Sequence, residues 1–143
     1  MARMVGVSGK VVCVDLQDKM IKDLVKQAEQ AELLDRIDAR TCDGNHLGIE
    51  DIGGAVDFTL IFALIHEVPD KDRLLAEIVV AVKQHGKILI GELKGHVSRD
   101  YFDKTVSIVW EAGFEAVDHP KIPKSHAIVI RKKLHYVSGI ASC

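Results

Sequence analysis

The feature that most constrains the fold is an alternation of short apolar segments with longer amphipathic ones. The first apolar segment, Lys10 to Asp15, follows Gly9 and is continuous, which is typical of a strand buried on both faces of a parallel sheet. From Gln17 to about Ile37, apolar residues recur at helical spacing and predict an amphipathic helix; they are Ile21, Leu24, Val25, Ala28 and Ala31. A buried strand followed by a crossover helix predicts an α/β fold with a parallel sheet.

Further strands and helices continue this alternation. The second predicted helix begins near Asp70 and ends at Gly86, a C-terminal glycine cap, and the third begins at Ser98 and ends at Gly113. The predicted strands between the helices are Asp38 to Cys42, Val56 to Ala63 and Lys87 to Glu92.

The last two predicted strands break the alternation. Phe114 to Asp118 and Ala127 to Arg131 have no helix between them, and the segment that joins them contains Pro120 and Pro123. A short connection of this kind favours an antiparallel pair. We therefore predict an α/β domain with a mostly parallel sheet, helices on both faces and an antiparallel last strand.

The composition fits one globular domain and limits the classes of partner that the protein can bind. The 143 residues are 48% apolar and 28% charged, with 19 Lys+Arg against 21 Asp+Glu. The basic residues are scattered, so we expect no nucleic-acid partner, and the longest apolar run, Ala55 to Ile65, is too short to span a bilayer. Three cysteines outside any metal-ligand spacing, with no leader segment, predict a cytoplasmic location. We expect one domain over residues 1–133 and a surface tail from Leu134 to Cys143.

Five segments together resemble class I S-adenosylmethionine-dependent methyltransferases. They are Gly9 to Asp15, Cys42 to Gly44, Asp57 to Pro69, Gly86 to Ile90, and Gly113 with Phe114. Their order and spacing are similar to the small-molecule branch related to quinone-biosynthesis methyltransferases. The resemblance implies a Rossmann-like fold, S-adenosylmethionine as the cofactor and a small molecule as the methyl acceptor.

The chain departs from this family at its beginning. The family's first strand, glycine-rich loop and first helix should precede Val11, and nothing in the sequence corresponds to them. Met1 to Val7 is similar to the last turns of that helix, so we expect a fragment that arose from an internal start, a truncated reading frame or excision.

The missing strand has a physical consequence. Neighbouring strands lie about 4.8 Å apart, so its loss would leave a slot of about 10 Å between the family's second and fourth strands. Each unpaired backbone group there costs roughly 1 to 3 kcal/mol. We expect compensation by a swapped segment, by a second chain in a homo-oligomer, or by direct pairing of the two strands.

Asp15 is the first candidate for cofactor binding. It ends a buried strand, at the edge where ligands of open α/β sheets bind, and the resemblance implies that its carboxylate accepts from the ribose hydroxyls. A helix N-cap is the alternative. Leu16 and Gln17 would flank the adenine, with an exposed first-turn residue as the alternative for Gln17.

Two further pairs follow later strands. Asp43 and Gly44 resemble the pair that holds the adenine in this family, through the carboxylate and a backbone N–H, and an Asx turn is the alternative. Phe62 and Ala63 end the strand where the family's backbone approaches the methionine part of the cofactor. A place in the core is the alternative, and it is the favoured one for Phe62.

His66 is the candidate catalytic residue. A base is useful in methyl transfer only if the acceptor's nucleophile carries a proton, and His66, with Glu67 beside it, could accept that proton. A packed or capping histidine is the alternative. Glu92, Lys94 and His96 border the expected substrate mouth and are predicted to be solvated loop residues. No metal site is expected, because four other histidines have no partners at zinc-ligand spacing: His85, His119, His126 and His135.

The sequence therefore predicts an S-adenosylmethionine-dependent methyltransferase acting on a small molecule. A non-catalytic remnant or assembly subunit of the same fold is one alternative, supported by the missing glycine loop. A nicotinamide-dependent oxidoreductase is another, because Asp15 would serve its ribose equally well, but the closing strands without a helix disfavour it.

Overall fold

The strands of the described chain form two sheets, one in each of two units. The structure is a computed structural model that describes residues 1–134. The units are Met1–Gly48 and Ile49–Cys143. Apart from Leu134, the predicted tail lies outside the described residues, and its boundary with the predicted 1–133 domain stays a prediction.

The first unit is a strand, a helix and a second, parallel strand. These are β1 (Val11–Asp15), α1 (Asp18–Gln30) and β2 (Ile37–Thr41), and β1 pairs with β2 over its full length. The helix buries Ile21 and Ala28, which belong to the predicted apolar stripe. The crossover helix and the parallel pairing are thus confirmed.

Helix α1 ends earlier than the predicted position near Ile37. Glu32 adopts a left-handed conformation with a φ of 55°, which turns the chain out of the helix. The N–H of Glu32 donates to the Glu29 carbonyl at 3.0 Å, and the N–H of Leu33 donates to the Ala28 carbonyl at 2.9 Å. This pair of bonds is a Schellman cap, with a glutamate at the position that glycine usually takes.

The second unit has a four-stranded sheet in the order β3-β4-β6-β5. β3 and β4 are parallel, whereas β6 is antiparallel to both β4 and β5. The predicted antiparallel last strand is therefore confirmed. The elements of this unit are β3 (Val56–Phe62), α2 (Lys71–Ala81), β4 (Val82–Leu93), α3 (Arg99–Glu111), β5 (Phe114–Asp118) and β6 (Ser125–Lys132).

Both helices of the second unit begin at the predicted capping residues. The Asp70 side chain accepts from the Arg73 N–H at 3.0 Å, and the Ser98 hydroxyl accepts from the Tyr101 N–H at 3.2 Å. These bonds satisfy donors that the first helical turn leaves unpaired. The helices and strands bury an aliphatic core that includes Ile61, Leu75, Ile78, Ile88, Ile90, Val109, Phe114, Ile128 and Ile130.

The predicted glycine cap at Gly86 is wrong. Helix α2 ends at Ala81, and Gly86 lies inside β4. A β-carbon at Gly86 would lie 2.5 Å from Val82 Cγ1 and 2.9 Å from the Val56 carbonyl oxygen. The glycine therefore serves close packing in a strand and does not end a helix.

Each parallel pair of strands lies within one unit, and direct pairing of β1 with β3, one of the expected compensations for a missing strand, stays a prediction. β1 pairs with β2, and β3 pairs with β4. Compensation by a swapped segment or by a second chain stays a prediction.

Replacing Glu32 with glycine should stabilise the protein by about 1 kcal/mol, because glycine adopts the left-handed conformation without the steric cost of a β-carbon. Urea denaturation measures the change. Glu29→Gly is the matched control, since it places glycine inside the exposed last turn of α1 and should destabilise the fold by roughly 0.5 to 1 kcal/mol. Equal losses in the two variants would contradict the cap.

Candidate functional site

The carboxyl ends of β1 and β2 lie side by side. Asp15 and Thr41 are partners in the parallel ladder, and the N–H of Cys42 donates to the Asp15 carbonyl at 2.9 Å. Asp43 follows Cys42 directly. The two acidic residues predicted to bind the cofactor are therefore brought to the same edge of one sheet.

The Asp15 side chain is half-buried and has one oxygen engaged. Its Oδ1 accepts from the Gln17 N–H at 2.7 Å. Within residues 1–134, no other hydrogen bond or ion pair to this carboxylate is present. Gln17 is the N-cap residue of α1 and makes no side-chain cap, so Asp15 holds the turn before the helix and is not its N-cap. Oδ2 is thus available to a ligand.

Leu16 and Gln17 are both exposed. Leu16 exposes 60% of its surface directly after the Asp15 carboxylate. An apolar side chain beside a carboxylate suits a ligand that combines a flat ring with hydroxyl groups.

Asp43 forms an Asx turn, the alternative that the sequence left open. Its Oδ1 accepts from the N–H groups of Asn45 at 2.6 Å and His46 at 2.7 Å. Asp43 and Gly44 are both exposed. The turn fixes the direction of the carboxylate, and a role of this pair in adenine binding stays a prediction.

In the second unit, β3 ends in a strained turn. Ala63 has a φ of 52°, and its N–H donates to the Gly91 carbonyl at 2.8 Å. Phe62 is 39% exposed, so the favoured prediction, that its side chain lies in the core, is wrong. Its ring covers Gly91, where an added β-carbon would lie 2.5 Å from Phe62 Cδ2.

His66 follows this turn and is held by a buried carboxylate. The backbone N–H of His66 donates to Glu92 Oε1 at 3.1 Å, and its Nδ1 lies 2.7 Å from Glu92 Oε2. Glu92 is only 1% exposed. A carboxylate accepts hydrogen bonds and does not donate them, so Nδ1 is the ring nitrogen that carries the hydrogen; in the neutral ring, Nε2 is then the nitrogen with the free lone pair.

The prediction that Glu92 is a solvated loop residue is therefore wrong. Glu92 lies within β4, between Gly91 and Leu93, and its charge is satisfied by His66. Lys94 and His96 are exposed, as predicted. A charge inside the apolar run that begins at Ile88 was the signal in the sequence that could have indicated burial.

An open groove of about 400 Å³ borders His66. The His96 ring meets the His66 ring edge to face, with centroids 6.1 Å apart. The groove is lined by His66, His96, Val97, Ser98 and Tyr101. These aromatic rings offer surface to a small flat molecule.

Cys13 is a protected thiol. It lies within β1 and is half-buried, and burial, with a smaller effect of the Asp38 carboxylate, raises the pKa of the thiol above its ordinary value. Both causes disfavour the thiolate, so Cys13 is unsuited to nucleophilic chemistry.

Comparison with known proteins assigns the family. Residues 1–90 match the family model described as "Methyltransferase domain". The chain therefore belongs to the methyltransferase domain family, and the predicted resemblance to class I S-adenosylmethionine-dependent methyltransferases is confirmed. This assignment and the antiparallel last strand argue against a nicotinamide-dependent oxidoreductase.

The chain is also similar to a curated protein, a demethylmenaquinone methyltransferase from Lactobacillus johnsonii. The two are 29% identical over 115 residues, which cover 80% of this chain and 44% of the relative. The chain thus spans less than half the length of that relative.

Solved structures share the fold. A SAM-dependent methyltransferase from Aquifex aeolicus has a TM-score of 0.80 at 19% identity, over 92% of this chain and 73% of that chain. The [4+2]-cyclase SpnF has a TM-score of 0.73 at 14% identity, over 91% and 68% of the two chains. The predicted Rossmann-like fold class is therefore confirmed.

No helix within 1–134 combines the length and the apolar character needed to cross a bilayer.

Replacing Gly91 with alanine should displace the Phe62 ring and destabilise the protein by about 1 to 2 kcal/mol, because the new β-carbon overlaps the ring. Thermal unfolding measures the loss. In a Phe62→Ala background the same change should cost much less, since the ring is gone. Gly95→Ala is the control: a β-carbon there meets no atom within 4 Å. A loss of equal size at Gly95 would contradict this account.

Proposed function

We propose that this chain carries the nucleoside-binding part of an S-adenosylmethionine-dependent methyltransferase that acts on a small molecule. The observation that supports this most strongly is the Asp15 carboxylate at the end of β1, with one oxygen held by Gln17 and the other available. Family membership supports the reaction class, and the demethylmenaquinone methyltransferase relative supports a small-molecule acceptor.

The donor set at the edge of β1 and β2 fits a nucleoside. The available Asp15 oxygen would accept from the ribose hydroxyls, and the exposed Leu16 would pack on the adenine ring with Gln17 beside it. Asp43, fixed by its Asx turn, and Gly44 would meet the polar edge of the adenine. The carboxylates thus match the polar groups of the nucleoside, and the apolar Leu16 side chain matches its flat ring.

For Phe62 and Ala63 of the second unit, the role beside the methionine part of the cofactor that the resemblance implies stays a prediction. The left-handed Ala63 turns the backbone sharply at the end of β3, which presents main-chain groups at the carboxyl edge of that sheet. Bound S-adenosylmethionine supplies a methyl group that its sulfonium has already activated. The protein then has to align the acceptor and exclude water, and it needs no covalent residue.

The proposal has one competitor. A non-catalytic remnant or assembly subunit of the family would keep this fold without binding the cofactor. Calorimetric titration with S-adenosylhomocysteine separates the two: micromolar binding contradicts the remnant, and no binding contradicts the methyltransferase.

Self-association is a further part of the proposal. β3 is an edge strand of its sheet. Three of its large apolar residues remain exposed over 43%, 44% and 39% of their surface: Phe58, Leu60 and Phe62. Exposed apolar edges pair readily with other strands. We expect a homo-oligomer in sedimentation velocity, and Leu60→Lys should shift it towards the monomer. A monomer at all concentrations would contradict this part.

Replacing Asp15 with asparagine should weaken S-adenosylhomocysteine binding about 10- to 100-fold, because hydrogen bonds to a charged acceptor are worth roughly 1.5 to 3 kcal/mol. The asparagine oxygen can still accept from Gln17, so the fold should be kept. Calorimetry gives the affinity, and Asp23→Ala, an exposed acid on α1, is the control. Unchanged affinity in the Asp15 variant would remove this residue from the ribose site.

A further inference from the structure

We propose that Glu92 is a positioning residue that holds His66 as a proton acceptor, and that the methyl acceptor is a neutral, flat small molecule with a weakly acidic hydroxyl group. This inference rests on the proposed function. It concerns the second unit alone, where Glu92, His66 and the groove are found.

Glu92 fixes which nitrogen of the His66 imidazole carries the hydrogen. Glu92 Oε1 is engaged by the His66 backbone N–H at 3.1 Å, which leaves Oε2 to face Nδ1 at 2.7 Å. A buried carboxylate needs a donor at each oxygen, and only the tautomer with hydrogen on Nδ1 provides the second one. Nε2 is then the nitrogen that can accept a proton.

The fold places the His66 imidazole at the groove. Ile65 is fully buried and anchors the short turn Ile65–Glu67, while the His66 side chain stays 20% exposed. His66 also lines the groove. The imidazole is therefore fixed on one side by Glu92 and open to a small molecule on the other.

Two carboxylates near the His66 ring determine which charge of the methyl acceptor the groove favours. Glu67 Oε1 lies 3.8 Å from His66 Nε2, and Glu67 is mostly exposed. With Glu92 behind the ring and Glu67 beside it, an acceptor that is already anionic would be repelled, while a developing imidazolium would be stabilised. The groove therefore favours a neutral acceptor that gives up its proton during the reaction. The rings of His96 and Tyr101 favour a flat body for that acceptor.

Methyl transfer in this groove moves one proton and two electron pairs. The O–H bond of the acceptor breaks, and its proton goes to His66 Nε2. The oxygen's electron pair forms the bond to the methyl carbon, and the pair of the methyl–sulfur bond stays on the sulfur of the sulfonium donor. The imidazolium, paired with Glu92, returns its proton to water afterwards.

The first test reads the tautomer by ¹⁵N NMR of the intact protein at a pH where His66 is neutral. We expect hydrogen on Nδ1 in the wild type and on Nε2 in Glu92→Gln, whose amide oxygen can still accept from the backbone while its NH₂ group faces Nδ1. Glu67→Gln removes a carboxylate beside the same ring and should leave the tautomer unchanged. Hydrogen on Nε2 in the wild type overturns the proposal, even if Glu92→Gln fails to fold.

The second test uses 4-nitrophenol, whose ionised form absorbs visible light. Bound to the wild type below the pH where it ionises in water, it should show the phenolate band, and His66→Asn and Glu92→Gln should lose most of that band. Asp118→Asn, an exposed acid at the end of β5 that does not line the groove, is the control and should retain both the binding and the band. A bound phenol that stays protonated, or no saturable binding, overturns the acceptor class.

The S-adenosylhomocysteine titration keeps the two proposals apart. If S-adenosylhomocysteine binds but His66 carries its hydrogen on Nε2, the proposed role of Glu92 fails and the proposed methyltransferase function stands. If the tautomer and phenol results hold but the cofactor product does not bind, the proposed methyltransferase function fails.

Discussion

The candidate site of the second unit depends on one buried charge. Glu92 is 1% exposed, and taking a carboxylate out of water costs several kcal/mol unless donors replace the lost solvent. Both donors come from His66, its backbone N–H and its ring. The segment after β3 consequently has one favourable arrangement, with Ile65 buried and the imidazole at the groove. The bond that satisfies the charge also decides which ring nitrogen can react.

The first unit fixes its candidate residues by main-chain bonds. The Asp15 carbonyl accepts from the Cys42 N–H, so the ends of β1 and β2 stay together whatever side chains they carry. Backbone bonds of this kind tolerate wide sequence change. This fits the close likeness of the fold to solved structures that share only 14% to 19% of its sequence.

Periodicity predicted the strands and the buried face of α1 because it reports burial directly. The helix ends were harder to predict, since Glu32 takes a conformation usually given to glycine, while Gly86 serves packing inside a strand. Asp15 and Asp43 were predicted to bind the same cofactor, and the structure brings them to the same edge of one sheet. Glu92 was missed because its partner lies 26 residues away, and no local pattern shows that a charge at that distance is satisfied.

The left-handed Ala63 has a consequence for how this sequence can vary. At a φ of 52° a β-branched side chain is strongly disfavoured, while glycine, asparagine and aspartate are tolerated. Substitutions at this position among related sequences should therefore be confined to small or short polar residues. Relatives with valine or isoleucine there must leave the strand by a different path, and their histidine, if they have one, would sit elsewhere.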